Sequence, residues 1–194
     1  MLLLFADYIS LIPIVIYFGL LYSFLINPIK NHLDLVFLII ILLSDISVKF
    51  FKSLEYPDFM YDITRRPKGA SNCDFFSRKG LLKYGTPGFP SGHMTTVTFF
   101  SVFVILLSYH NYFKNDLQKS KNIINFIKDK NTLIITNLLL IILTGWARCY
   151  KGCHNLFQVF GGFILGSIYA FIFYYILLKI KKRNINFGLS NKLI

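Results

Sequence analysis

The run Pro87-Gly88-Phe89-Pro90-Ser91-Gly92-His93 leads directly into Met94-Thr95-Thr96-Val97-Thr98-Phe99-Phe100 and an apolar stretch that extends to residue 109. Two prolines and two glycines end one segment, and Ser91 is a favourable helix N-cap. The stretch from His93 onward has the length and polarity of a membrane helix. Outward from it, stretches 2–26, 33–51, 132–147 and 156–178 also come near the roughly 20 apolar residues that a span needs. The first has no basic n-region and runs past the usual ~7–15-residue apolar core of a secretory signal, so it is read as a helix. Five spans leave little chain for anything else. The sequence predicts an all-α integral-membrane bundle of about five helices, organised as one domain over 1–194.

Composition agrees and narrows the partners. Of 194 residues 55% are hydrophobic, and 21 Lys and Arg against 9 Asp and Glu give a formal charge of +12. A basic chain is attracted to nucleic acid, but here the cations lie in loops between apolar spans. Membrane lipids and a small anionic substrate account for them, and nucleic acid is not an expected partner. With spans alternating in direction, segments 52–92 and 148–155 share one membrane side; 27–32, 110–131 and the tail from 179 share the other. Lys and Arg are nearly balanced between the two. On the first side they fall largely within the motifs below, whereas Lys114, Lys119, Lys121, Lys128, Lys130, Lys179, Lys181, Lys182 and Arg183 do not. The positive-inside rule then puts the tail in the cytosol and the motif side in a lumen or outside. Segment 115–130, with Ile123, Ile124, Phe126 and Ile127 among lysines, fits either an amphipathic surface helix or a solvated loop.

Three cysteines, Cys73, Cys149 and Cys153, cannot all pair within one chain. Cys73 with Cys149 or with Cys153 is the disulfide to consider on an oxidising side, and free buried thiols fit equally well. The run Cys149-x3-Cys153-His154 has the wrong spacing for haem attachment and no fourth zinc ligand nearby, so neither metal nor cofactor is expected.

At the start of the third span, free backbone N–H groups and the positive end of the helix dipole suit a phosphate. Gly92 lets the main chain come close, and His93 in the first turn is placed to protonate a departing oxygen. Between spans four and five, Arg148 offers a planar fork matched to phosphate oxygens. His154 and Gln158 are four apart and share a helix face, where the amide oxygen can accept the ring N–H and hold the imidazole for attack. Either run alone also fits a well-packed helix end with an interfacial histidine; their common membrane side is what favours chemistry. Arg65, Arg66 and Lys68 follow Lys49 and Lys52, which fit snorkelling anchors as well as anion ligands. Asp45 lies one turn before Lys49, within pairing reach, and an ionisable residue inside a span is costly and often functional. Gly162 and Gly166, four apart in the last span, permit close helix packing.

Together these residues resemble the type 2 phosphatidic acid phosphatase superfamily, whose motifs are Lys-x6-Arg-Pro, Pro-Ser-Gly-His and Ser-Arg-x5-His-x3-Asp. The resemblance covers about 45–166. Motif two is matched by Pro90-Ser91-Gly92-His93, and motif three by Arg148, the five-residue gap and His154, with Ala147 in the place of Ser. Gln158 stands where most members have Asp. With Val159, Gly161 and Gly162 it looks like the dolichyl diphosphatase and glucose-6-phosphatase branches. Motif one departs, because the position seven before Arg66 is Phe59. The loop is longer here, with Lys49 as the preferred lysine, since Asp45 stands four before it where those branches often have Asn, and Lys52 in reserve.

The resemblance implies metal-independent hydrolysis of a lipid or isoprenoid phosphate or diphosphate through a phosphohistidine. His154 would attack phosphorus, His93 protonate the leaving group and Gln158 orient His154. Arg148, Arg66, Lys49, Ser91 and Gly92 would hold the phosphate oxygens. Gln158 favours a polyprenyl diphosphate as substrate. Three alternatives stay open on sequence: a soluble sugar phosphate, transfer to a lipid alcohol, and a non-catalytic membrane scaffold with a decayed motif one.

Overall fold

The structure, a computed structural model, describes residues 1–28, 31–68, 70, 73, 85–115 and 122–186, the side chains of 32, 115 and 181–186 excepted. Residues 116–121 of the amphipathic segment, most of the 69–84 loop and the tail from 187 lie outside the described residues, and with them Lys119 and Lys121 of the topology argument. Among the described residues the helices are α1 (Leu2–Ile9), α2 (Ile12–Ile26), α3 (His32–Ser53), α4 (Tyr61–Thr64), α5 (Gly92–Asn115), α6 (Ile123–Asp129), α7 (Asn131–Tyr150) and α8 (Leu156–Asn186). The described chain has no β-strand, only an isolated bridge between Arg65 and Pro87.

Among the described residues, four helical stretches are long and apolar enough to cross a membrane: Leu2–Ile26, Gly92–Lys114, Asn131–Tyr150 and Leu156–Ile180. The fifth expected span is α3, which has the length at 22 residues but carries Asp34, Asp45, Lys49 and Lys52. Phe18, Leu25, Ile142, Phe160 and Phe171 are exposed on the outside of the bundle. Apolar surface on that scale belongs in lipid. By helix length and composition the chain is an integral-membrane protein.

The 2–26 stretch, expected as one helix, is broken between Ile9 and Ile12. Pro13 has no N–H for an i−4 bond and its ring crowds the preceding turn, so α2 starts afresh with Pro13 in its first turn. Ser10 at the break turns its hydroxyl onto the Ala6 carbonyl at 2.9 Å. Within 115–130 the described part is helical: Asn122 caps α6 by accepting from the Ile124 amide at 3.2 Å. Phe126 is buried while Ile123, Ile124 and Ile127 stay exposed.

The bundle is organised around α5, which packs on α8, α7, α3 and α2. Phe99 and Phe103 of α5 meet Phe37 of α3 and Phe173 of α8 in an aromatic cluster, with centroids 4.4 Å apart for Phe37 and Phe103 and 4.9 Å for Phe103 and Phe173. At the other end of this contact α8 approaches α5 closely. A Cβ on Gly162 would stand 2.6 Å from the Ser91 carbonyl oxygen, and one on Gly166 would stand 2.5 Å from that of Thr95. The two glycines therefore set how deeply the start of α8 seats against the start of α5, where the candidate site lies.

Candidate active site

Local sequence explains how His154 is presented. Helix α7 ends at Tyr150, and Gly152 at φ 64° takes the left-handed conformation that reverses the chain. The Arg148 carbonyl then accepts from the amides of both Cys153 and His154, at 3.1 and 3.2 Å. Asn155 restarts the helix: its Oδ1 accepts from the Gln158 amide at 2.9 Å, the bond of a helix N-cap. His154 is thus fixed between two helix ends and is 3% exposed.

Gln158 connects three segments. Its Oε1 lies 2.9 Å from His154 Nδ1. Its Nε2 donates to the carbonyls of Ile63 and Arg65 at 3.0 and 2.7 Å. Its own carbonyl accepts from the Ser91 amide at 3.0 Å. With both amide hydrogens committed to carbonyls, the oxygen must face the ring, so Nδ1 carries the proton and Nε2 keeps its lone pair. Asn155 adds two longer bonds to the carbonyls of Asp62 and Ile63, at 3.3 and 3.2 Å. The 62–66 segment is also held by the 85–89 loop, where the Arg66 amide donates to Thr86 and the Gly88 and Phe89 amides donate to Thr64.

The arginines are set by main-chain carbonyls. Arg66, 2% exposed, donates through Nη1 to the Cys153 carbonyl at 3.1 Å, and the same nitrogen lies 3.4 Å from His154 Nε2. Fully buried Arg148 donates through Nη2 to the Cys73 carbonyl at 2.7 Å, and its Nη1 lies 3.5 Å from Ser10 Oγ. Cys73 and Cys153 are joined by a disulfide, which leaves Cys149 as the free thiol. The two alternatives left open by sequence resolve to this pair, whose carbonyls each receive one guanidinium. Lys151 bonds Asp7 at 2.7 Å and so ties α1 to the same loop.

A cavity of about 650 Å³ is lined at its basic end by Lys49, Lys52, Arg66, Gly92, His93 and His154. The two histidines that sequence placed on one membrane side therefore share one cavity. Burial first, then the charges of Arg148, Arg66 and Lys52, holds the His154 imidazole well below the usual histidine range; the Gln158 bond opposes this and is outweighed. Lys52 is half-buried and Lys49 is exposed. Ser91, expected to cap α5 with its hydroxyl, does not: its Oγ is buried and has no hydrogen-bond partner among the described residues. Thr95 instead returns its hydroxyl to the Ser91 carbonyl at 3.0 Å. Asp45, expected within reach of Lys49, accepts from Thr96 Oγ1 at 3.0 Å and from Tyr17. Among the described residues no three His, Cys, Asp or Glu side chains gather to hold a metal ion.

The profile of the PAP2 superfamily matches residues 32–182, a stretch that contains both histidines, both arginines, both lysines and Gln158. The chain belongs to the PAP2 superfamily. No curated protein and no solved structure matches it significantly. For this PAP2 chain, membership carries phosphatase-type activity at the level of the superfamily and singles out no branch within it.

Some of this site is not marked in the sequence. Asn155 is readable in principle, as a strong N-cap residue just before an apolar run. Thr96 lies one turn beyond His93, which is also a sequence signal. Tyr17 and the carbonyl of Cys73 reach the site only through helix packing and a cross-link.

Proposed function

We propose that the chain hydrolyses a phosphate ester of a lipid or isoprenoid alcohol through a phosphohistidine on His154. One observation carries the reading: His154 has Nδ1 bound to the Gln158 oxygen at 2.9 Å and Nε2 3.4 Å from Arg66 Nη1, in a cavity that His93 also lines.

In the first step the Nε2 lone pair attacks phosphorus while the bond from phosphorus to the alcohol oxygen breaks. His93 gives that oxygen a proton. Arg66, Arg148 and a lysine balance the charge spread over the equatorial oxygens. The Ser91 hydroxyl, beside Gly92 at the start of α5 and without a partner among the described residues, suits a further phosphate oxygen. In the second step water attacks the phosphohistidine, neutral His93 takes its proton, and inorganic phosphate leaves. Both lysines line the cavity, and Lys52, half-buried where Lys49 is exposed, is the better candidate for the motif-one lysine.

Apolar residues lining the same cavity, Ile14, Leu42 and Ile46 among them, support a substrate whose tail stays in the bilayer. A bond between Cys73 and Cys153 supports an oxidising environment for the motif side, hence a lumenal or extracytoplasmic site and a cytosolic C-terminus. Phosphate release from a panel of lipid, isoprenoid and sugar phosphates in detergent with EDTA tests the reading. Turnover of a lipid phosphate by the wild type and its loss in His154→Ala are expected; equal turnover by both would overturn it.

A further inference from the structure

Asp45 is a carboxylate on a membrane helix, and the hydrolytic mechanism gives it no task. It lines the same cavity as the histidines, together with Tyr17 and Thr96. Oδ1 accepts from Thr96 Oγ1 at 3.0 Å, and Oδ2 accepts from the Tyr17 hydroxyl, which itself lies 3.3 Å from Thr96 Oγ1. A clasp between α2, α3 and α5 could be built from neutral groups, at less cost than a carboxylate inside a span. Each carboxylate oxygen has two lone-pair directions; each accepts one of these hydrogen bonds, and the charges of Lys49 and Lys52 on the same helix also act on the group. Acceptor capacity remains on a half-buried group at the cavity wall.

The cavity is graded in polarity along α3. Lys52, Lys49, Asp45 and Leu42 succeed one another at about one-turn intervals, from the basic end inward. On α5, Thr96 is three residues beyond His93, roughly 4.5 Å along the axis at about 1.5 Å per residue. An alcohol whose phosphate sits at the basic end and whose chain follows α3 inward passes Asp45 before it reaches Leu42. A hydroxyl or ammonium on the carbon next to the ester carbon is four bonds from phosphorus and reaches at most about 6 Å from it at about 1.5 Å per bond, close to one helical turn. A bare isoprenoid offers no donor there.

We infer that Asp45, buttressed by Tyr17 and Thr96, is a headgroup subsite selecting lipid phosphomonoesters with a hydroxyl or ammonium donor vicinal to the phosphate ester. The inference rests on the phosphatase reading above and narrows its substrate. A charged acceptor left without its donor at a half-buried site is costly, so the site disfavours analogues that lack the donor.

The test compares a matched pair in detergent: a 1-acylglycerol 3-phosphate and its 2-deoxy analogue, identical except for the vicinal hydroxyl. The wild type should favour the hydroxylated lipid in kcat/KM by about tenfold or more, and Asp45→Asn should reduce that ratio to near one. A wild-type ratio near one, which needs no variant to fold, overturns the inference, as does a folded Asp45→Asn with the ratio intact. Glycerol 3-phosphate and its deoxy analogue form a soluble arm; turnover confined to that arm overturns the lipid source. If the wild type releases phosphate from no substrate in either arm or from farnesyl phosphate, the phosphatase reading itself has failed. Turnover of farnesyl phosphate alone leaves that reading standing and overturns the subsite.

Discussion

Gln158 holds His154 through a 2.9 Å bond to Nδ1 while its amide nitrogen is committed to the carbonyls of Ile63 and Arg65. The relationship explains why an amide suits this position better than a carboxylate. An aspartate or glutamate would accept from the imidazole more strongly, but its second oxygen would face two carbonyl oxygens with nothing to donate.

Gln158→Glu is therefore expected to harm the protein although it supplies the more usual charge. Two carbonyls lose their donor, a loss of about 2–3 kcal/mol in stability, and kcat falls with it. Gln158→Leu removes ring orientation as well and should lower kcat about a hundredfold or more. Steady-state kinetics with a thermal melt of each variant check both outcomes; a Gln158→Glu enzyme as stable and active as wild type would contradict the geometry.

The depressed pKa of His154 has two consequences of known sign. In the proposed mechanism His154 attacks as the neutral imidazole, so kcat/KM should persist as pH falls through the ordinary histidine value near ~6.5 and fail only well below it. Because the folded pKa lies below the unfolded one, the unfolded state binds the proton first. Stability is whole above the unfolded value and is lost as pH falls toward the folded one. Lys52→Met removes a charge that lowers the pKa and should move the acid limb to higher pH, whereas Lys49→Met should not. Equal shifts in the two pH profiles would return Lys49 to the motif-one role.

Cys73 and Cys153 carry the carbonyls that receive Arg148 and Arg66, at 2.7 and 3.1 Å, and their bond closes a sequence separation of 80. Opening it loosens both guanidinium groups and frees a long loop, worth on the order of 4–5 kcal/mol in a chain-entropy account. Cys73→Ser should raise KM about tenfold and lower the melting temperature, while Cys149→Ser should do neither. Wild-type kinetics after reduction would contradict the role of this cross-link.

Two glycines at the start of neighbouring helices should behave differently. A Cβ on Gly92 meets only Val48 Cγ1, at 3.6 Å, an ordinary contact, whereas a Cβ on Gly162 meets the Ser91 carbonyl at 2.6 Å. Gly162→Ala is expected to push α8 off α5 and cost about 1–3 kcal/mol. Gly92→Ala is expected to leave thermal stability unchanged and raise KM, because the added methyl obstructs the phosphate rather than the fold. Melting curves and KM for the two variants separate these effects.

Much of this architecture is legible in the chain, and the exceptions have physical causes. The motif residues fall at or between the ends of apolar stretches, and alternating spans carry those ends to one side. The shared side of His93, Arg66 and His154 therefore follows from span direction, while their meeting in one cavity depends on loop contacts that it does not specify. The break after Ile9 escapes a hydropathy reading because apolar character stays continuous across it while Pro13 acts through the backbone. The acceptors of the Gln158 amide escape it too, because a main-chain carbonyl has no sequence identity. Residue type makes Ser91 a cap, yet Thr95 takes its carbonyl and its hydroxyl has no partner among the described residues. Helical spacing sets Asp45 beside Lys49, whose charge does act on it, while its hydrogen bonds come from Tyr17 and Thr96, 28 and 51 residues away in sequence.

The most direct measurement is a search for the covalent intermediate. p-Nitrophenyl phosphate needs no proton on its leaving group, so a His93→Ala enzyme should complete the first step and stall at the second, where no base takes the proton from water. With the phosphoryl group labelled and the reaction quenched in alkali, label should accumulate on the peptide containing His154, and none should appear in the His93→Ala, His154→Ala double variant. Label on another residue, or steady turnover in His154→Ala, would contradict the account.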